Sequence, residues 1–568
     1  MQEAAGLLHK YPELCLFLSI LLGHGIGAFH FKGVGFGNVV GTLIAGIAVG
    51  IFARPELPEL LRWVFFYLFL FSIGYSVGPQ FFGSLKKAAL PQIALALVVA
   101  VTGLAAVIGM STLLRFDEGI AVGLLSGGMT QSAALGTGLN AIAELDLPEE
   151  EKATLSANAP LADAITYGFG DLGLILFLTW LGPKVMRADL RKEARLMEEK
   201  LSGGKPHGQG FFNPHYSLRA HRVEAAAAAG LTVERLEERY REGHLSVQRV
   251  WRGGELIDPA PGLRLQPGDV LVIVGRRGVM LTMEREIGPE LHDAELLAVP
   301  TKVASVVVTN REVIGKTLAE LAADRALARG VYPQSIQRGE EEIPREDWTV
   351  IERGDLLRIT GSPADVDRAA AVVGFVERDL AKTDLAFLAA GVCLGVLLGL
   401  LKLNAGGAAL GLGTAGSILV VGLLAGWARS RYPVFGAIPV PAQRLLMDIG
   451  LIVFIAVVGL QAGPHAVEAY EKSGGAYFAR IFLSGVVVTV MPLLVGALFA
   501  RKVLRMNPLM ALGGMAGAQT CTPGLNALRD ASGSNVGALA YTVPYALANI
   551  VLTIWGPVVV AIVHAMRT

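Results

Sequence analysis

Charge is scarce in this chain, and cysteine scarcer still. Only 17% of the 568 residues are charged, and 49 Lys and Arg balance 49 Asp and Glu to a formal net charge of zero. A soluble chain carries about a quarter charged residues, so a wholly water-exposed fold is excluded. Without a basic excess, no nucleic-acid partner is expected. The three cysteines, Cys15, Cys393 and Cys521, all fall in apolar segments. They read as small buried hydrophobes rather than a disulfide or a metal site. The N-terminus has no basic n-region and no clear cleavage site, so it is expected to stay in the mature protein. No HExxH, paired CxxC, Walker A or GxSxG context occurs. Gly411-Leu-Gly-Thr-Ala-Gly416 matches the dinucleotide fingerprint only formally, because it opens an apolar segment with no strand before it. No enzymatic activity, cofactor or metal site is expected.

What the chain has instead is apolar length. It is 53% hydrophobic, carries 69 glycines, and has a mean hydropathy of +0.52. Apolar runs at 14–31, 36–53, 63–83, 88–114, 119–145 and 154–186 precede a charged stretch. Further runs at 385–401, 410–428, 445–462, 476–500, 507–528 and 536–565 follow it. Most approach the roughly 20 residues a helix needs to cross a bilayer, and small residues suit helices packed closely in lipid. The expected organisation is a membrane repeat at 1–187, soluble modules at 188–292 and 293–380, and a second membrane repeat at 381–568.

The two membrane halves repeat one another. Gly41-Thr-Leu-Ile-Ala-Gly-Ile-Ala-Val-Gly-Ile-Phe-Ala-Arg54 resembles Gly416-Ser-Ile-Leu-Val-Val-Gly-Leu-Leu-Ala-Gly-Trp-Ala-Arg429, and Gly74-Tyr-Ser-Val-Gly-Pro79 resembles Gly459-Leu-Gln-Ala-Gly-Pro464. Each half then carries a Gly-rich polar stretch, Ser126–Asn140 and Gly517–Asn526, and closes on an apolar helix holding Gly182-Pro183 or Gly556-Pro557. A helix broken at membrane depth survives only where it is buried in protein or lines a watery cavity. Matched interruptions in two halves point to a transporter's binding site. If each broken stretch is a re-entrant hairpin, the repeats are inverted; if it crosses fully, they are parallel. The inverted arrangement is favoured.

The positive-inside rule sets the orientation from the second half, since in the first Lys86 and Lys87 compete with Arg54 and Arg62. Arg429, Arg431, Arg444, Arg501, Lys502 and Arg505 share one side, and the insert, flanked by Lys184, Arg187, Arg191 and Lys192, falls there too. That side is expected to be cytoplasmic. Arg54 and Arg429 recur in equivalent places and read as interfacial anchors. Within the insert, Val250–Pro259 leads to Leu265–Gly275 and Ile336–Pro344 leads to Ile351–Gly361. In both, a Gly-Asp turn precedes an alternating strand. Helical stretches are expected at about 222–241 and 315–328, making two α+β modules.

The candidate substrate ligands are Thr130, Gln131 and Ser132 in the first half and Gln519, Thr520, Thr522 and Asn526 in the second, with the amides of Asn158 and Asn549. N–H groups at half-helix starts add partial positive charge that can hold a carboxylate. Ionisable residues inside spans are functional hypotheses by default. Asp163 is the candidate for proton or cation coupling; Asp171 and Asp448 are also ionisable, Asp448 at the start of a helix. His24 and His30 read as structural or interfacial.

Together these features resemble the aspartate:alanine exchanger family of bacterial membrane transporters. Its members have two membrane halves separated by two modules like the TrkA-C (RCK-C) regulatory domain. Gly268-Asp-Val-Leu-Val-Ile-Val-Gly275 and Gly354-Asp-Leu-Leu-Arg-Ile-Thr-Gly361 match that module's usual ending. Ala164–Gly173, Thr520–Asn526 and Ala540–Asn549 look like the family's membrane signatures. The Ala-rich start of the first module, Ala225–Gly230, fits less well. The resemblance implies a polytopic α-helical membrane protein with broken or re-entrant helices. It also implies an inner-membrane exchanger of small organic anions or amino acids with cytoplasmic modules. The expected partners are a small-molecule substrate, membrane lipid, a regulatory ligand on the soluble modules and a second copy in a homodimer. Competing readings are a cation/proton antiporter, and a channel or sensor gated by the modules. Against the first, no apolar segment holds an adjacent Asp pair; against the second, no repeated filter marks a continuous pore.

Overall fold

The computed structural model describes residues 7–28, 30–31, 34–35, 37–84, 89–201, 216–241, 245–338, 341–377, 383–401, 403–405, 408–410, 413–432 and 436–567. Two compact units emerge, Met1–Glu198 with Leu380–Thr568, and Glu199–Asp379.

In the first unit the apolar runs are helices. The first half holds α1 (Pro12–Gly27), α2 (Gly37–Ala53), α3 (Glu59–Ser84), α4 (Leu90–Leu114), α5 (Glu118–Gly128), α6 (Ser132–Ala143) and α7 (Glu149–Leu176). The last continues through a π turn, Phe177–Leu181, to Met186. The second half holds α8 (Leu385–Gly399), α9 (Gly413–Arg431), α10 (Val440–Phe499), α11 (Pro508–Ala518), α12 (Thr522–Ser532) and α13 (Thr542–Arg567). Gly474, at φ 69°, splits α10 into two arms, in agreement with the separate runs at 445–462 and 476–500. Asp448 does not begin a helix: Pro441 starts α10 earlier, which leaves Asp448 inside its first arm. Among the described residues, five helices are long and apolar enough to cross a membrane, and all twelve expected apolar runs contain helix.

The sequence repeat is also the packing scheme. A Cβ at Gly50 of α2 would sit 2.3 Å from the Leu460 carbonyl oxygen, and one at Gly463 of α10 would sit 2.5 Å from that of Ile47. Reciprocally, a Cβ at Gly74 of α3 would meet the Leu419 oxygen at 2.5 Å, and one at Gly426 of α9 the Tyr75 oxygen at 2.0 Å. The two repeated motifs thus grip each other across the halves, twice, through backbone approaches that only glycine permits. In lipid such packing replaces the missing hydrophobic drive.

These contacts fix direction. Gly46 lies against Gly459 and Gly50 against Leu460, so α2 runs parallel to the first arm of α10; Gly74 against Leu419 and Gly78 against Leu423 make α3 parallel to α9. Yet Gly450 packs on Phe69, Phe454 stacks on Phe66 at 4.5 Å, and Gln461 accepts a hydrogen bond from Arg62, so α3 and α10 are antiparallel. Since α3 and the first arm of α10 occupy the same place in the repeat, the halves are inverted.

The second unit holds two sheets of five antiparallel strands. The first has β1 (Tyr216–Arg222), β2 (Ser246–Arg252), β3 (Glu255–Ile257), β4 (Val270–Arg276) and β5 (Glu290–Leu291), in the order β3-β2-β4-β1-β5. The second has β6 (Lys302–Val308), β7 (Val331–Arg338), β8 (Glu341–Glu342), β9 (Leu356–Gly361) and β10 (Gly374–Glu377), in the equivalent order β8-β7-β9-β6-β10. The first module therefore shares the fold despite its atypical start. Its helix is only Val233–Arg239, shorter than the expected 222–241, because β1 extends to Arg222 and the Thr232 hydroxyl caps the helix start. In the second module the expected 315–328 stretch holds two helices, Leu318–Ala323 and Arg325–Ala328, the first opened by a Thr317–Glu320 capping box, and Pro363–Val373 forms a further helix after β9.

The repeated Gly-Asp turn has one structural purpose. Arg252 Nε and Nη2 donate to the two Asp269 oxygens at 2.8 and 2.9 Å, and Nη2 also reaches the Arg264 carbonyl. Arg338 repeats this on Asp355 at 2.8 and 2.7 Å and on the Val350 carbonyl. Each Asp also accepts the N–H three residues before it, from Gln266 or Glu352. A bidentate pair of this kind locks the turn to the strand end beside it.

Candidate functional site

Both broken stretches are helix–turn–helix units with the same internal geometry. Helix α5 begins at the Asp117 cap, which accepts from Ile120 N, and α11 begins at the Asn507 cap, which accepts from Leu509 N. Thr130 and Thr520 then adopt the left-handed conformation, each at φ 52°. Gln131 N donates to Ser126 O at 2.8 Å and Cys521 N to Ala516 O at 3.1 Å; Thr130 N and Thr520 N reach Gly127 O and Gly517 O. These are Schellman closures with threonine where glycine is usual. Each costs about 1–2 kcal/mol relative to a relaxed backbone, and strain of this kind concentrates at functional sites.

After the break the chain turns back. Val122, eight residues before Thr130, fills the space over Gly138, eight after it. In the second broken stretch Leu509 and Leu528 both pack against Gly537. With 11 or 12 residues per arm, each arm is about 16–18 Å long, short of the roughly 30 Å hydrocarbon core.

The tips of the hairpins meet. Thr130 Oγ1 donates to the Gln519 carbonyl at 2.5 Å, and Thr520 Oγ1 donates to the Thr130 carbonyl at 3.2 Å. Side chains at each break then reach the closing helix of the other half. Gln131 Nε2 donates to Asn549 Oδ1 on α13 at 3.2 Å, and Cys521 Sγ donates to Asp171 Oδ1 on α7 at 3.3 Å. Within the repeat Gln131 corresponds to Cys521 and Asn549 to Asp171, so these are one contact made twice with different chemistry.

Of the expected ligands, Thr130, Gln131, Ser132, Gln519, Thr520, Thr522 and Asn549 gather here, and all but Thr520 and Thr522 are buried. The Thr522 hydroxyl bonds the Tyr541 hydroxyl at 3.0 Å. Gln519 Nε2 reaches the Thr489 carbonyl at 3.3 Å, while its Oε1 is buried without a partner among the described residues. Asn158 lies elsewhere: its Nδ2 donates to Asp117 Oδ2 at 2.8 Å, at the opposite end of α5 from the break. Asn526 sits on the exposed face of α12, one turn past the break. His24 ends α1 and is exposed, and the His30 side chain lies outside the described residues.

Sequence reasoning named Asp171 only as an ionisable residue within a span, and passed over Cys521 and Tyr541 as site residues. Cys521 is not an inert filler: besides Asp171, its sulfur accepts Gly524 N at 3.3 Å and so caps α12. The available signal was the repeat itself, since Thr166-Tyr-Gly-Phe-Gly-Asp171 aligns on Pro544-Tyr-Ala-Leu-Ala-Asn549.

Residues 15–183 and 387–561 match the family model Asp-Al_Ex, described as "Predicted Permease Membrane Region". The chain belongs to the aspartate:alanine exchanger family of membrane transporters. Residues 303–374 match the TrkA-C domain, which coincides with the second soluble module. An uncharacterized transporter of Bordetella bronchiseptica is 49% identical over all of this chain and 99% of its own. One from Bradyrhizobium diazoefficiens is 38% identical over 99% of both chains, and one from Shewanella oneidensis 35% over 98% of both. No solved structure matches the exchanger-family chain.

Proposed function

We propose that this family member exchanges small organic anions or amino acids, aspartate- or alanine-like, across the bacterial inner membrane by alternating access. The observation that carries this reading is the contact between Thr130 and Gln519–Thr520, where two strained breaks from inverted halves face each other across a buried polar site. The hairpins are re-entrant, and their tips hold the substrate. The N-terminal ends of α6 and α12 add partial positive charge for a carboxylate, and Gln131, Asn549 and Gln519 supply amides. Because α6 runs beside α13 in the same direction, with Gln131 near Asn549 and Thr137 near Thr553, α5 and α11 point oppositely. Each hairpin therefore enters from a different face, which supports a site reached from the two sides in turn. The soluble modules lie in the cytoplasm, bind a regulatory ligand and bias the two states through differential affinity; the transporter works as a homodimer.

The test is counterflow in proteoliposomes preloaded with unlabelled amino acids and dicarboxylates. Uptake of labelled aspartate, alanine or succinate should depend on internal substrate and fall in folded Gln131→Ala and Gln519→Ala variants. Uptake indifferent to internal substrate, or single-channel currents, would refute exchange.

A further inference from the structure

Beside the hairpin tips lies a carboxylate that the exchange reading leaves unused. Asp163 is 0% exposed, and neither of its oxygens has a hydrogen-bond partner among the described residues. It packs on the last turn before the first break, with its backbone against Gly123 and Gly127. The neighbouring Ser126 hydroxyl donates instead to the Gln131 carbonyl at 3.2 Å, and no cationic group among the described residues bears on Asp163.

The other titratable groups around it are few. On its own helix are Tyr167 and Asp171, and at the second break is Cys521. On α5 the nearest carboxylate along the helix is Glu118, two turns before Gly127 and already held by His564 and Arg567. The second arm of α10 runs antiparallel to α7, with Gly485 against Thr166 and Phe482 against Phe169. Its Tyr477 makes an edge contact with Phe116, at the far end of α5, and its Arg480 is exposed and in no ion pair among the described residues. Helix α6 brings no titratable side chain, α2 ends on Ala53, and the charges of α12, Arg529 and Asp530, are exposed at its far end.

A carboxylate is not demanded by packing at this place. The equivalent residue in the second half is Tyr541, fully buried and neutral, which satisfies its hydroxyl on Thr522. An uncompensated buried charge costs several kcal/mol, and ionisable groups at membrane depth mark ion pathways. We infer that Asp163 binds a small monovalent cation, H⁺ or Na⁺, that occupies the sealed state and leaves when the hairpins part, which couples substrate exchange to an ion gradient. This rests on the exchange reading for its role in transport; the binding itself does not.

The binding is tested on the purified full chain without substrate. Infrared difference spectra between wild type and Asp163→Asn at neutral pH should show a carboxylic-acid C=O band present only in the wild type if the ion is H⁺. If it is Na⁺, thermal stability should rise with Na⁺ but not with choline in the wild type, and not in Asp163→Asn. Absence of both signals overturns the inference. Should Asp163→Asn fail to fold, wild-type proteoliposomes decide: with one H⁺ per substrate, a one-unit pH gradient shifts the accumulation ratio about tenfold, and an equal Na⁺ gradient does the same for Na⁺. Accumulation indifferent to both gradients overturns coupling. Absence of counterflow for the whole panel sinks the exchange reading instead, while the spectra and the Na⁺ response still decide the ion site.

Discussion

The left-handed threonines give the sharpest prediction. Thr130 has two opposing effects on stability: its conformation costs about 1–2 kcal/mol, and its hydroxyl satisfies the buried Gln519 carbonyl. Thr130→Ala keeps the backbone cost and leaves that carbonyl unpaired, for a loss of about 1–3 kcal/mol. Thr130→Gly loses the same bond but relieves the backbone, offset in part by glycine's greater freedom when unfolded. The glycine variant is therefore expected to be about 1 kcal/mol more stable than the alanine variant. If Thr130 were an ordinary packed side chain, its methyl against Gly170 would make alanine the better replacement. Thermal scans of both variants in detergent, read as an order of midpoints, separate the cases; counterflow is expected to fall in both. A glycine variant no more stable than the alanine variant refutes the strained closure, and Thr520→Gly and Thr520→Ala should repeat the order.

Adding one methyl at the reciprocal helix crossings tests the inverted packing. Gly50→Ala and Gly426→Ala push Cβ onto the carbonyl oxygens of Leu460 and Tyr75, so each is expected to cost about 1–3 kcal/mol; Gly109→Ala, with open space around it, should cost almost nothing, and equal midpoints for all three would refute the crossing. In the soluble modules, Arg338→Ala strands Asp355, which is 1% exposed, and is expected to cost about 3–5 kcal/mol. Arg252→Ala should cost less, because that guanidinium is 29% exposed; hydrogen exchange of β9 and β4 reads each. Burial would raise the Asp269 carboxyl, but Arg252 and the Gln266 N–H outweigh it and hold it below its ordinary value. A group so depressed contributes stability above its unfolded value and loses it as pH falls. Protection of β4 should therefore weaken below about pH 4 in the wild type and change less in Arg252→Ala.

The sequence made the repeat, the break positions and the soluble hairpins legible, because each is written in local pattern. Glycines four apart on α2, α3, α9 and α10 announce close-packed faces, and Gly-Asp before alternating Leu and Val announces a strand. What local pattern cannot carry is partner choice between residues far apart in the chain. Nothing near Cys521 says that its thiol meets Asp171, 350 positions away. Asn158 misled for the same reason. A polar residue on an interrupted helix suggests a ligand, whereas the parallel course of α5 and α7 carries it to the Asp117 cap. The expected 222–241 helix failed because Ala and Glu favour helix locally, while β1 pairs with β4 through residue 222.

Aligning the halves recovers part of what periodicity misses, and the departures from symmetry are the informative part. A two-fold scaffold needs equivalent residues where backbones touch, and it has them: Gly127 and Gly517, Thr130 and Thr520, and by packing Gly50 and Gly426, one residue out of the register that matching Arg54 to Arg429 suggests. Packing makes no such demand on the polar contacts beside the tips. There the halves diverge, with Gln131–Asn549 an amide pair and Cys521–Asp171 a thiol and a carboxylate, and with Tyr541 standing where Asp163 does. Under the proposed alternating access, symmetry would account for how two hairpins exchange roles between the faces of the membrane. The asymmetry puts both carboxylates on α7, so that one helix of one half would carry the charge that distinguishes a coupled exchanger from a passive one.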